Sequence, residues 1–525
     1  MIDAYDAADV RAAEEPLLAR ERGFAGGLMH HAATALAAAV RSELRHARGR
    51  VAGASVVALV GPGSNGGDAL HALALLARHG VRVCAVTTAA RVHEGGLAAL
   101  VAARGRVVAV EAGAPGERVW LGDALAEAFA ADVVLDGLVG IGASGPLREP
   151  AARVAGLLAE LLATADDLHG PVGGRPVVVA VDLPSGIGVD DGTVPGPVLP
   201  ADRTVTFGAV KPGLLLPPAR LLVGRVDHVD LGLAPGLADG GARPAVSALE
   251  APDVARLWPV PARAAHKYAR GVVGVVAGTA AYPGAAVLTV AGALGAGCGM
   301  VRYVGPDDVG RAVVAAHPEV VVGQGRVQAW VLGPGTGSAD EADEEQARRV
   351  RAALRQAADD DLPAVVDAGA LAVVGDAPLG PRVVLTPHAG ELARLLTRSG
   401  TPLERADVEA EPLRWARAAH EATGATVLLK GAVTVVVGTG GVLAQADAPP
   451  WLATAGAGDV LAGVLGAVLA GRSDDVRADP ALVSALAAAA ALVHGRAADA
   501  ANPGGPVTAS AVAAAVPGVV ADLLR

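Results

Sequence analysis

The sequence predicts an α/β protein built as two three-layer αβα domains. Three observations predict it. Short β-branched runs alternate with Ala- and Leu-rich stretches of helical period through most of the chain. The runs are apolar throughout, as strands buried on both faces of a parallel sheet are. Most end in a Gly-bearing or polar turn that leads into the next helical stretch, the pattern of βα units.

The first series of strands is expected at Ser55–Val60, Val81–Val86, Val133–Leu135 and Val177–Val181. A second begins near Gly271, with Val272–Val276, Val331–Leu332, Ala364–Val366, Val383–Leu385 and Val427–Leu429. Between them Gly232–Pro252 is rich in Gly, Pro and Ala and reads as a connection. This divides the chain into an N-terminal domain over 1–235, a linker over 236–250 and a C-terminal domain over 251–525.

Bulk properties narrow the function. With 525 residues, 52% hydrophobic and 18% charged, the chain has ample material for two cores. Its longest apolar run, Ala481–Val493, falls short of the ~20 residues a membrane span needs and reads as a buried, Ala-rich helix. Met1–Asp6 is acidic and carries no basic flank, which argues against a secretory signal. Cys84 and Cys298 sit far apart in apolar stretches, as free thiols in a reducing cytoplasm would. A formal charge of −11, with no Lys/Arg-rich segment, gives no general affinity for nucleic acid. The expectation is a cytoplasmic small-molecule enzyme, homo-oligomeric, without nucleic-acid or membrane partners.

In the first half, strand Ser55–Val60 runs into Gly61-Pro62-Gly63-Ser64-Asn65-Gly66-Gly67-Asp68. Glycines there allow close backbone approach, and the amides opening the next helix form an anion site. Two further loops, Asp136–Pro146 and Asp182–Gly186, follow strands Val133–Leu135 and Val177–Val181. Loops at the carboxyl ends of parallel strands converge on one crevice. Asn65, Asp136 and Ser185 offer hard oxygen ligands suited to an alkali or alkaline-earth cation. Each Asp alone is better explained as a cap or turn former, and their joint placement on successive strand ends shifts the balance.

With Thr204–Gly213, these segments resemble the NAD(P)H-hydrate epimerase family over roughly residues 10 to 230. The resemblance implies a Rossmann-like domain that interconverts the R and S epimers of hydrated NADH or NADPH. It implies that Ser64, Asn65, Gly66, Gly67 and Asp68, with Gly140, Ile141, Gly142, Ala143, Ser144, Gly145 and Pro146, hold the substrate's phosphates and ribose. Asn65, Asp136 and Ser185 would bind K+, and Asp182 would meet the reacting ring, as acid and base or as an orienting group. Ser64 stands where the family usually has Asn, Ala69 where it has Gly, and His30 where an acidic residue is common.

In the second half, Ala453–Gly463 is the leading signal. Small residues open an Ala/Leu helix, so that backbone amides can surround phosphate charge, and Asp459 sits in its first turn. There the helix dipole is expected to favour the ionised form that a general base needs. Leu332–Gly337, Asp367–Leu371, Leu385–Glu391 and Leu429–Thr434 supply further strand-end loops, carrying His388 and Lys430.

This set, with Ala277–Thr279 and Tyr282–Ala286, resembles the ribokinase-like, ADP-dependent NAD(P)H-hydrate dehydratases over about residues 250 to 520. It implies that Ala285, Gly335, His388 and Asp459 contact the hydrated cofactor. Lys430, Gly431, Ala432, Val433, Thr434 and Gly458 would hold ADP, and Mg2+ would accompany its phosphates. Asp459 would be the catalytic base. Ala389 replaces a usual Pro, and Gly369 a usual second Asp. The rival reading is a ribokinase-like kinase of vitamin precursors with a non-catalytic N-terminal module.

Overall fold

The computed structural model describes residues 1–21, 23–169, 174–337, 344–374 and 378–525, which form two compact units. One is Asp3–Ala245; the other is Met1–Ile2 with Val246–Arg525.

In the first unit, eight strands among the described residues lie in the order Glu117–Arg118, Arg106–Ala109, Arg82–Thr87, Ser55–Val60, Val133–Gly137, Val177–Val181, Arg203–Phe207 and Arg225–Val229, all parallel. The chain starts at Ser55–Val60, works out to one edge, then returns to Val133–Gly137 on the other side. The topological switch point therefore lies between those two central strands, where doubly wound sheets open a crevice. Side chains alternate across the sheet. Val56, Ala58 and Val60 pack with Leu36, Val40, Leu70 and Leu73 of helices Leu28–Arg48 and Ser64–Ala77. Val57 and Leu59 pack with Leu125 and Leu158 of helices Leu121–Phe129 and Ala151–His169. Three layers result.

Among the described residues, ten strands of the second unit lie in one sheet, in the order Val246–Ala248, Gly441–Gln445, Thr434–Gly438, Thr426–Leu429, Val383–Leu385, Ala364–Val366, Ala329–Leu332, Val272–Val276, Met300–Tyr303 and Val321–Val322. Helices Pro283–Gly295, Ala457–Gly471, Leu482–Ala501 and Ala509–Leu523 build one continuous core on it. The buried residues Val350, Leu392 and Ala416, of helices Glu344–Asp359, Ala389–Arg398 and Pro412–Thr423, lie outside that core. Pro283–Gly295 and Ala457–Gly471 approach each other closely because both carry glycine at the crossing. A Cβ on Gly463 would fall 2.0 Å from Thr289 O, and one on Gly292 2.4 Å from Val460 O.

Two features depart from the sequence reading. The second sheet is mixed: Thr434–Gly438 runs antiparallel to both neighbours. A tight turn after Gly438 returns the chain at once as Gly441–Gln445, which a search for βα units passes over. The expected linker also carries structure. Helix Ala234–Asp239 buries Leu237, with Leu233, against Val10 and Ala13, and Val246–Ala248 pairs with Gly441–Gln445. Glycine and proline signalled a connection there, but leucines four residues apart supply a face to bury.

Helix Leu482–Ala501 is, among the described residues, the one long and apolar enough by composition to cross a membrane, and 72% of its apolar window is buried in this unit. Cys84 and Cys298 are free and buried.

Candidate active sites

A cleft of about 1190 Å³ opens at the switch point of the first unit. Pro62 to Asn65 and Asp68 line it from the first central loop, Leu138 to Ala143 from the second, and Asp182 from the third. Helix Ala7–Leu18 adds Arg11, Glu14 and Glu15.

Asp182 follows strand Val177–Val181 with φ at +69°, a left-handed conformation that an L-residue adopts at a cost on the order of 1–3 kcal/mol. The bend aims its side chain at the ends of strand Arg203–Phe207. There Oδ1 accepts hydrogen bonds from Thr206 Oγ1 at 3.0 Å, Phe207 N at 3.1 Å and Lys211 Nζ at 2.5 Å. Lys211, 1% exposed, also donates to Phe207 O at 2.8 Å. All three donors use Oδ1, which leaves Oδ2 for the cleft. The sequence marks Thr204–Gly213 as a family segment but gives Lys211 no role. Only the fold brings its ammonium to Asp182.

Asp136 is fully buried. Its oxygens accept from Ser185 Oγ at 2.6 Å, Ser185 N at 2.8 Å and Leu138 N at 3.3 Å. Ser185 Oγ accepts from Val139 N at 3.0 Å, and Asn65 Nδ2 donates to Val139 O at 3.2 Å and Val181 O at 2.5 Å. Asn65, Asp136 and Ser185 thus meet around one turn of backbone, a set of hard oxygens of the kind an alkali cation takes. A Cβ on Gly140 would fall 2.2 Å from Asn65 Oδ1, so only glycine fits beside this amide.

The other residues expected to hold substrate divide into two groups. Ser64, Asp68, Gly140, Ile141, Gly142 and Ala143 face the cleft, whereas Gly66, Gly67, Ser144, Gly145 and Pro146 are not in its lining. Gly66 and Gly67 are packing positions: a Cβ there would meet Gly61 O at 2.4 Å or His93 Cγ at 2.8 Å. Glu14 was not singled out from the sequence. Burial, opposed by Lys211 and reinforced by Asp182, raises its carboxyl above the usual range.

In the second unit the strand-end loops also converge. Lys430 Nζ lies 2.7 Å from Asp367 Oδ1, which also accepts from Thr386 Oγ1 at 2.8 Å. A Cβ on Gly458 would stand 3.4 Å from Lys430 Nζ, so the phosphate-type loop passes directly over the ammonium. Gly456, with φ at +86°, turns the chain into helix Ala457–Gly471 against Leu288, one turn beyond Ala285. Ala285 in turn abuts Gly335, where an added Cβ would fall 2.4 Å from Ala285 Cβ. Ala285, Gly335, Lys430, Gly458 and Asp459 are therefore linked in one ring. Gly431 and Ala432 are exposed in the turn after Lys430, Val433 is buried and Thr434 opens the next strand.

His388 joins the ring by pairing with Lys430. Its Nδ1 accepts from Gly390 N at 3.1 Å and Glu391 N at 3.3 Å, capping helix Ala389–Arg398, and its Nε2 lies 3.6 Å from Glu391 Oε1. Burial lowers its affinity for a proton.

The dipole expectation for Asp459 needs correction. Burial, with Asp367 nearby and Lys430 only partly compensating, raises its carboxyl to about 7. Desolvation and a second carboxyl outweigh the partial charge of a helix end. A value near neutrality still suits a general base.

Comparison with known proteins agrees with this division. Residues 25–213 match the family model described as YjeF-related protein N-terminus, and residues 273–514 match that described as NAD(P)H-hydrate dehydratase. The bifunctional NAD(P)H-hydrate repair enzyme Nnr of Mycobacterium tuberculosis is 44% identical over 479 residues, 89% of each chain. The NAD(P)H-hydrate epimerase of Clavibacter sepedonicus is 47% identical over 235 residues, 44% of this chain and 91% of its own length. Among solved structures, the ADP/ATP-dependent NAD(P)H-hydrate dehydratase of Bacillus subtilis is 23% identical, with a TM-score of 0.44, covering 53% of this chain and 99% of its own. The chain belongs to the family of bifunctional NAD(P)H-hydrate repair enzymes.

Proposed function

We propose that the two units perform successive steps in the repair of hydrated NADH and NADPH. The first interconverts the R and S epimers; the second dehydrates the S epimer at the expense of ADP, releasing AMP and phosphate. The observation that carries the first step is Asp182, whose Oδ1 is held by three donors while Oδ2 is left for the cleft. A carboxylate fixed in this way can accept a proton from the oxygen on the carbon beside the ring nitrogen. Ser64 and the Gly140–Ala143 loop bind the rest of the substrate. Asn65, Asp136 and Ser185 fit K+, which would order these loops and offset phosphate charge.

In the second unit Asp459 takes the proton of the C6 hydroxyl as that oxygen attacks the terminal phosphate, converting a poor leaving group into a good one. Lys430 and the amides at Gly458 receive the nucleotide's charge. Mg2+ would arrive on the nucleotide's phosphates with its own waters, as that ion commonly does. Both reactions belong in the cytoplasm, where the cofactors and ADP are.

The test is to mix R and S NADH hydrates with the protein, ADP, Mg2+ and K+, and to follow NADH absorbance. Both epimers should be recovered. Asp182→Ala should strand the R form, judged by rate because R converts slowly unaided, and Asp459→Ala should recover nothing. Absence of nucleotide-dependent NADH recovery would reject the dehydratase assignment in favour of a small-molecule kinase.

A further inference from the structure

Moving a hydroxyl from one face of a ring carbon to the other needs two proton transfers. One protonates the oxygen that leaves, and the other deprotonates the water that returns. Asp182, held through Oδ1 by Thr206, Phe207 and Lys211, is placed to take the second, and a further group must give the first.

We propose that Asp68 is a further catalytic residue of the epimerase, the protonated acid that works opposite Asp182; this rests on the epimerase reading of the cleft. Asp68 reaches the cleft from the first turns of helix Ser64–Ala77, and Asp182 from the end of strand Val177–Val181, so the two carboxyls arrive from different elements. Asp68 is 6% exposed, and its Oδ1 is fully buried without a hydrogen-bond partner among the described residues. Asp136 and Asp182, equally buried, each have three donors. A carboxylate buried without donors is disfavoured, whereas a neutral carboxyl there carries little penalty.

The charged neighbours agree. Burial first, then Asp182 and Glu14, hold the Asp68 carboxyl well above the usual range. The cations lining this region act elsewhere: Lys211 is bound to Asp182, and Arg11 acts on Glu14. A carboxyl buried without donors beside one held by three donors makes an acid and a base.

The step balances. Asp68 gives its proton to the C6 oxygen; the C6–O bond breaks and water leaves. The ring nitrogen's electron pair forms a C6=N iminium, beside carboxylates that stabilise the positive charge. Water then adds to the opposite face, the C=N pair returns to nitrogen, and the water's proton passes to Asp182. The reverse reaction, or exchange with solvent through the open cleft, restores both groups. Nothing is oxidised or reduced.

Asp68→Asn keeps the shape and a neutral hydrogen-bonding group but has no proton to give. We expect kcat for R-to-S conversion to fall roughly 100-fold or more, with KM unchanged. Incorporation of 18O from labelled water into the hydrate should fall in parallel, while ADP-dependent dehydration of S hydrate continues. Unchanged kcat and 18O exchange with a raised KM would overturn the proposal in favour of simple substrate binding. Should the variant fail to fold, the unsubstituted enzyme decides: kcat/KM that declines on the alkaline side supports the acid, and a profile flat through the alkaline range overturns it. An unsubstituted protein that epimerises nothing would overturn the epimerase reading, and the role of Asp68 with it.

Discussion

Lys211 Nζ stands 2.5 Å from Asp182 Oδ1, and both side chains are almost sealed from solvent. The pair joins two loops separated by 29 positions in sequence and fixes the carboxylate where water has little access. Removing one member of a buried pair leaves the other uncompensated. Lys211→Met should therefore destabilise the first unit by about 3–5 kcal/mol, read from urea unfolding, and abolish epimerisation. Adding Asp182→Asn to it should restore much of the stability but none of the activity.

Dehydration should depend on the ionisation of Asp459. Its carboxyl, raised to about 7, must be deprotonated to act, so the rate should climb with pH through about 7 and level off above. The stability consequence has the opposite sign. A folded-state value raised above the unfolded one favours folding at acid pH and loses that advantage as pH rises through about 7. Asp459→Asn should therefore be more stable than the parent at pH 8, with the difference fading as pH falls below the ordinary carboxylate range. Thermal melts at the two pH values check this.

Replacing K+ by Li+ should depress epimerisation and leave ADP-dependent dehydration of S hydrate untouched, because Asn65, Asp136 and Ser185 belong to the first unit alone. Asp136→Ala should do the same even at saturating K+. Separate rate measurements on the R and S epimers distinguish the two halves. Equal sensitivity of both would reject the assigned site.

Gly369 stands beside the Gly333–Gly337 turn with no room for a side chain. A Cβ there would fall 2.1 Å from Gly337 O and 2.4 Å from Thr336 Oγ1. Gly369→Asp should push the Gly333–Gly337 turn away from Ala285 and lower dehydration at least tenfold while epimerisation persists, a shift costing about 1.4 kcal/mol or more in the transition state. Parallel assays of the two activities would show it.

Much of this was legible in the sequence because it is local. Strands buried on both faces must be apolar, so Ser55–Val60, Val177–Val181 and Val272–Val276 stood out. Each is followed by a loop whose Gly, Asn and Asp residues mark where backbone comes close to a ligand. The strands that escaped notice include the two-residue Glu117–Arg118 and Val321–Val322, the hairpin that makes the second sheet mixed, and the buried interior strands Arg203–Phe207 and Met300–Tyr303. Two-residue segments carry little burial signal, and a polar residue or a hairpin return hides the others from a search for βα units.

The sequence alone determined the two α/β domains, the loops that carry the chemistry and the residue types in them, since these follow from hydrophobic period and turn chemistry along a few neighbouring positions. Tertiary structure decided what those residues do. It set Lys211 on Asp182, removed Gly66 and Gly67 from the cleft lining, left Asp68 Oδ1 without a donor and raised Asp459 to about 7. Proton affinity depends on burial and on charges brought near from distant parts of the chain, and neither quantity exists until the chain has folded.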